Sequence, residues 1–178
     1  MASTPRPLSA PDIAARLRAR FGDELLEADA QHGHAVVRVT GPRYHETMAF
    51  LRDEPDLACD YCDFVTVVDR QAEGFEIVTH VASTTHHHGV RVKVLLPREA
   101  PAIATISDLY PTADWHEREC MEMFGVDVVG HPEPVKLLLP EQFEGFPMRK
   151  DFALMSRVAK PWPGAAEGEG EGEEDEEE

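Results

Sequence analysis

The chain has 178 residues, enough for one ordinary domain with a real core and too few for two comfortable ones. Its 17 basic residues against 34 acidic ones give a formal net charge of −17, which repels phosphate backbones and anionic lipid surfaces and so argues against nucleic acid as a partner. Eight glutamates and one aspartate between Glu167 and Glu178 hold much of that charge, leaving −8 for residues 1–166, and no run approaches the ~18 apolar residues of a membrane span.

Along the chain, Ser9-Ala10-Pro11-Asp12 reads as a helix start, and Ile13, Leu17 and Phe21 recur every four residues until Gly22 interrupts the pattern. HAVVRV, from His34 to Val39, is valine-rich and strand-like. Gly41-Pro42 then opens a second helical pattern, with Tyr44, Met48 and Leu51 on one face before Pro55. Three β-branched runs follow: DFVTVVD (Asp63 to Asp69), FEIVTHV (Phe75 to Val81) and VRVKVLLP (Val90 to Pro97), with connections short enough for hairpins. Val90, Val92 and Val94 alternate with Arg91 and Lys93, so one face is expected to be buried and the other solvated. This order predicts an α+β fold, a mainly antiparallel sheet packed with helices on one side.

Past Pro111 the pattern is helical again. Asp114-Trp115-His116-Glu117 has capping-box spacing, and Gly125 is placed to end the helix. Within it Trp115, Cys120, Met123 and Phe124 are expected to supply apolar surface. Arg118 stands four residues from both Asp114 and Glu122, where opposite charges meet on a helix. From Gly130 onward, Pro132, Pro134, Pro140, Pro147, Pro161 and Pro163 rule out long helices, so this stretch is expected to run extended over a surface. The closing GAAEGEGEGEEDEEE has no apolar anchors and is expected to be disordered. It reads either as a solvated appendage or as a segment that engages a basic face or keeps the chain soluble. The expected division is an α+β domain at 1–129, a proline-rich partner-binding segment at 130–163 and an acidic tail at 164–178.

The opening MASTPRPLSAPD has no hydrophobic stretch of the secretory-signal type, and Cys59, Cys62 and Cys120 are odd in number, so a cytoplasmic chain with reduced thiols is expected. His80, the run His86 to His88 and the Cys59-x-x-Cys62 pair leave a zinc reading open. Yet structural zinc wants ligands in recognisable pairs, and only one pair is present. A thiol-redox reading is open too, although the pair precedes a strand instead of opening a helix. No GxGxxG, GxxxxGK[ST] or GxSxG motif occurs, and three cysteines do not make a cluster-binding set. General acid–base work by Glu117 or Glu119 lacks a visible partner group.

ISDLYPTADWHERECMEMFGVDVVGHPEPVKLLLPEQFEGFPMRKDFAL, from Ile106 to Leu154, resembles the 30-kDa (C) subunit of respiratory complex I, the proton-translocating NADH:quinone oxidoreductase. The resemblance rests on E-R-E at Glu117-Arg118-Glu119, the acidic Glu122 with Met123-Phe124, then His131, and the ending LLP-x-x-F-E-G-F-P-M-R-K-D-F. The chain departs from the family pattern at Val135, where a second basic residue is usual beside Lys136. Cys59 to Asp69 and Phe75 to Val94 also resemble the family's sheet. The resemblance implies an α+β subunit of the peripheral arm, without a cofactor or active site of its own, bound to the 49-kDa (D) subunit. NADH, flavin, iron–sulfur clusters and quinone would be held by partner subunits, and membrane association would come through the complex only, on the cytoplasmic side. The residues it marks for the partner interface are Glu117, Arg118, Glu119, Glu122, His131, Lys136, Glu144, Arg149, Lys150 and Asp151. An equivalent scaffold subunit of a membrane-bound hydrogenase or other-donor quinone reductase fits the same stretch, and a free-standing His/Cys metal-binding protein is the remaining alternative.

Overall fold

The valine alternation that marks one run of the sequence becomes the middle of a five-stranded sheet. The computed structural model of the chain describes residues 7–22, 25–31 and 33–153. In order these form α1 (Ala10–Phe21), β1 (Leu25–Gln31), β2 (His34–Val39), α2 (Tyr44–Asp53), β3 (Tyr61–Asp69), β4 (Phe75–Ala82), β5 (Gly89–Leu96), β6 (Ala102–Ala104), α3 (Ala113–Phe124) and β7 (Asp127–Val129). The large sheet has the strand order β1-β2-β5-β4-β3, and β6 pairs with β7 in a small second sheet.

Three of the four pairings in the large sheet are antiparallel, but β2 and β5 run parallel, with Val37 opposite Val92. The sheet is therefore mixed, because the chain returns through α2 and the β3–β4 hairpin before β5 enters beside β2. A parallel pair needs such a crossover, whereas β3, β4 and β5 follow one another as hairpins.

α1 begins as the sequence predicts: the Ser9 hydroxyl caps the Asp12 amide at 3.3 Å, and Ile13, Leu17 and Phe21 are buried. Tyr44, Met48 and Leu51 share the buried face of α2. These side chains, together with Cys120 and Phe124 of α3, meet Val37, Val92, Val94, Phe75, Ile77 and Val81 in one core on one side of the sheet. Two buried hydroxyls are satisfied across that core: Tyr44 Oη lies 2.7 Å from Thr79 Oγ1, and Tyr110 donates to the Cys59 carbonyl at 2.8 Å. Of the residues expected to supply apolar surface on α3, Cys120 and Phe124 turn toward the sheet and are buried, while Trp115 is 67 % exposed and offers its ring outward.

Past β7 the chain forms a series of turns from Gly130 to Asp151 and lies on its own domain, not as a free extended ribbon. The tail and residues 154–163 of the proline-rich stretch lie outside the described residues.

Candidate partner-binding surface

α3 is held from below by its own charged groups. Glu117 is 3 % exposed; it accepts the Ile106 amide at 2.7 Å and the Thr105 hydroxyl at 2.5 Å, tying the helix to the chain leaving β6. The His131 side chain is fully enclosed. Its Nε2 lies 3.1 Å from Asp114 Oδ1, 3.2 Å from the Asp114 carbonyl oxygen and 3.8 Å from Glu117 Oε2, while Nδ1 accepts the Glu133 amide at 3.1 Å. With Nδ1 accepting, the ring proton sits on Nε2 and faces Asp114. Burial pushes the Glu117 carboxyl above its ordinary value, an effect that Thr105, Ile106 and His131 only partly offset. The expected capping box does not form. Thr112 occupies the position before the helix without a side-chain cap bond, and Asp114 and Glu117 have found partners in other segments.

On its other flank, α3 grips the proline-rich segment, which acts as a strap. Glu122 accepts the backbone amides of Leu137 at 3.0 Å, Leu138 at 2.8 Å and Leu139. Burial works against its charge, but the three amides and Lys136 outweigh it and hold the carboxyl below the ordinary range. Arg118 donates to the Val135 carbonyl at 3.0 Å and the Lys136 carbonyl at 3.3 Å. The expected Arg118 to Glu122 pairing thus gives way to bonds with the strap, whose backbone groups would otherwise be unpaired. Lys136 in turn donates to the carbonyls of Pro140, Glu141 and Phe143, closing the strap's loop on itself.

The end of the strap is locked at Gly125. Arg149 Nε donates to the Phe124 carbonyl at 2.5 Å, and its guanidinium lies 5.0 Å from the Phe75 ring centroid and 4.3 Å from that of Phe146. Gly125 ends the helix at φ +69°, as expected, and a Cβ there would come within 2.5 Å of Phe146 Cζ and 2.6 Å of Arg149 Nη2. Beyond it, the Lys150 amide donates to Asp69 Oδ2 at 2.8 Å, and Arg98 bridges Asp69 at 2.8 Å and Asp151 at 2.5 Å. Burial opposes the Asp69 charge, but the Lys150 and Gln71 amides and Arg98 prevail and keep its carboxyl below the usual range.

Residues 37–158 match the family described as "Respiratory-chain NADH dehydrogenase, 30 Kd subunit". The chain is 36% identical over 149 residues to the C subunit of NADH-quinone oxidoreductase from Roseiflexus castenholzii, covering 83% of this chain and 86% of that protein. The chain belongs to the 30-kDa subunit family. Two solved structures share its fold at 22% identity. One is a trypsin-resistant fragment of Nqo5, with a TM-score of 0.58 over 69% of this chain and 97% of that one. The other comes from the membrane-bound sulfane sulfur reductase, an archaeal respiratory membrane complex, with a TM-score of 0.66 over 82% of this chain and 86% of that one.

The residues that the resemblance marks in this 30-kDa family member divide by position. Glu117, Glu122 and His131 are buried and bonded inside the chain, so they shape a surface without facing outward from it. Arg118, Lys136, Arg149, Lys150 and Asp151 fasten the strap, while Glu119 is half-buried and Glu144 is exposed. What the fastened unit turns outward is largely apolar: Trp115, Val135, Leu138 and Met148 are at least half exposed. A cavity of about 310 Å³ between α3 and the strap is lined by Met121, Pro134, Val135, Phe143 and Phe146 beside Arg118. Sequence reasoning missed Asp69, Arg98 and Thr105, whose importance comes only from what the fold brings to them.

The histidines and thiols of this family member take ordinary structural places. Cys59, Cys62 and Cys120 are free and buried, and burial pushes their thiols up to about 12, about 11 and about 12. His88 Nε2 donates to the Leu57 carbonyl at 2.9 Å, and His86 Nε2 lies 3.0 Å from the Pro55 carbonyl oxygen. Burial holds His88 below its ordinary value. Among the described residues no cluster of three or more His, Cys, Asp or Glu could hold a metal ion, and no helix is long and apolar enough to cross a membrane.

Proposed function

We propose that this chain is a cofactor-free structural and assembly subunit of the peripheral arm of a proton-translocating NADH:quinone oxidoreductase. On this reading it supports electron transfer from NADH to quinone by binding the 49-kDa (D) subunit. NADH, flavin, iron–sulfur clusters and quinone are then held by its partners. The chain stays on the cytoplasmic side of the cell membrane, attached through the complex alone. One observation carries the reading: the strap and α3 satisfy their charged and backbone groups against each other, while Trp115, Val135, Leu138 and Met148 face outward. Aromatic and large apolar side chains on a prefixed support are the usual anchors of a protein interface.

The test is affinity capture of the tagged full-length chain from gently solubilised membranes, followed by mass spectrometry of the intact assembly. The 49-kDa subunit should be recovered with the wild type and lost with the Leu138→Glu, Met148→Glu double variant. A chain that runs as a free monomer in cells respiring through an intact complex would overturn the proposal.

The fold shared with a sulfane sulfur reductase subunit favours a second reading, the same scaffold role in a related membrane complex with another electron donor. The intact assembly separates the two: a flavin- and NADH-binding subunit in it supports the first reading, and a nickel-site large subunit or another donor module supports the second.

A further inference from the structure

The helices and the core lie on one side of the large sheet, and the other side carries a row of cations. The register places Arg38 of β2 opposite Lys93 of β5, and Val36 opposite Arg91; on the far flank Arg91 pairs with His80 and Leu95 with Glu76 of β4. Tyr61, Val68 and Leu95 are exposed.

One carboxylate serves three cations in the middle of this face. Glu76 is 3.0 Å from Arg38, 3.4 Å from Arg70 and 4.0 Å from Lys93. The Nε atoms of Arg38 and Arg91 are buried with no hydrogen-bond partner among the described residues. The other carboxylates of the face stand on the edge strands. Glu27 is 3.5 Å from Arg38, Asp29 takes the Ala30 amide, and Asp63 faces His80 at 3.1 Å. The central stripe of β2, β5 and β4 is thus positive in a chain whose overall charge is −17. A hollow of about 520 Å³ lies at its β1 side, between Arg38 and Lys93 of the stripe and Glu27 and Asp29 of the edge strand.

The chain ends its described course next to the β3–β4 turn, at one end of the sheet. The Lys150 amide is bonded to Asp69, the last residue of β3, and the next residue, Arg70, turns its guanidinium onto Glu76. From Ala153 the first glutamate of the acidic run, Glu167, is fourteen residues away. That length spans up to about 46 Å when extended, against roughly 19 Å for the width of five strands. A tether of this kind raises the local concentration of its end to about the millimolar range.

We propose that residues 167–178 lie across the open face of the five-stranded sheet, with their carboxylates on Arg38, Arg70, Arg91 and Lys93, as an intramolecular cover of the unassembled subunit. Carboxylate pairing with guanidinium supplies the attraction. Tyr61 and Leu95 border the covered stripe.

Zero-length carbodiimide cross-linking of the full-length chain, read by peptide mass spectrometry, tests this. The reagent joins carboxylates to lysine amines in contact, and the sequence offers Lys93, Lys136, Lys150 and Lys160 as competing acceptors. The monomer band should contain tail links mainly to Lys93. Their yield should fall several-fold in about 0.5 M NaCl, where charge pairing is screened, and in the Arg38→Gln, Arg91→Gln variant, while links to Lys160 persist. Links confined to Lys150 and Lys160, or Lys93 links unchanged by salt, would overturn the proposal. Lys93 links found only in a dimer band would assign the face to the tail of a second copy and overturn it equally.

Discussion

Glu122 Oε2 accepts the Leu138 amide at 2.8 Å, across sixteen residues of chain, and so fixes the strap to α3. The neighbouring amides of Leu137 and Leu139 converge on the same carboxylate. Glu122→Gln replaces an all-acceptor group with one that turns a donor toward these amides. The strap should lose about 2–4 kcal/mol of local stability, the scale of lost charge-assisted bonds. Hydrogen exchange of the Leu137 to Leu139 amides should accelerate while β4 and β5 remain protected; unchanged exchange would refute the anchoring role.

The pH dependence has two opposed parts. The carboxyls of Glu122 and Asp69 lie below their ordinary values, so on acidification the unfolded chain takes up these protons first. Their stabilisation is complete above the ordinary carboxylate value of about 4 and is lost as the pH falls through their folded values. The strap should therefore be released in acid below about pH 4, detectable as faster proteolysis between Gly130 and Asp151.

Glu117 has the reverse sign. Burial raises its folded value, so the native state binds that proton first, and stability declines as the pH rises from about 4 through the raised value. Glu117→Gln keeps an acceptor for the Ile106 amide and removes the buried charge. Chemical denaturation from pH 4 to 7 should show a flatter stability profile in the variant; the wild-type slope persisting would assign it to another group.

Gly125→Ala places a side chain at φ +69° and drives a methyl into Phe146 and Arg149. The backbone strain costs about 1–2 kcal/mol, and displacing the ring and guanidinium adds to it. A lower melting temperature with early loss of strap protection is expected. A melting temperature equal to wild type would show that the contact gives way freely.

Cys59, Cys62 and Cys120 are buried with their thiols pushed up to about 11 or 12, so almost no thiolate exists at neutral pH. An aromatic disulfide reagent should label none of the three within minutes in the native chain and all three in denaturant. Rapid native labelling of Cys59 or Cys62 would revive a redox role.

The parts legible in the sequence were those whose signal is local. Ile13, Leu17 and Phe21 mark α1 by spacing alone, and Val90, Val92 and Val94 mark the inner face of β5. β1 was missed because LLEADAQ has no β-branched residue and becomes a strand only by pairing with β2 at the sheet edge. β6 and β7 are three residues each, too short to leave a period. The family resemblance drew attention to Glu117, Arg118 and Glu122, but helical spacing offered them partners one turn away. Their actual partners are Ile106, Val135 and Leu138, which no local rule brings near.

The parallel seam between β2 and β5 joins Ala35 to Val90, so more than fifty residues must emerge before the centre of the sheet can close. Until then a nascent chain can hold only two separate hairpins, β1–β2 and β3–β4, with the inner edge of β2 bare and α1 beside it. Closing so long a loop slows folding, and a bare apolar edge invites pairing with other chains. Translation rate and chaperone supply should therefore govern the yield of this protein more strongly than substitutions on its finished surface.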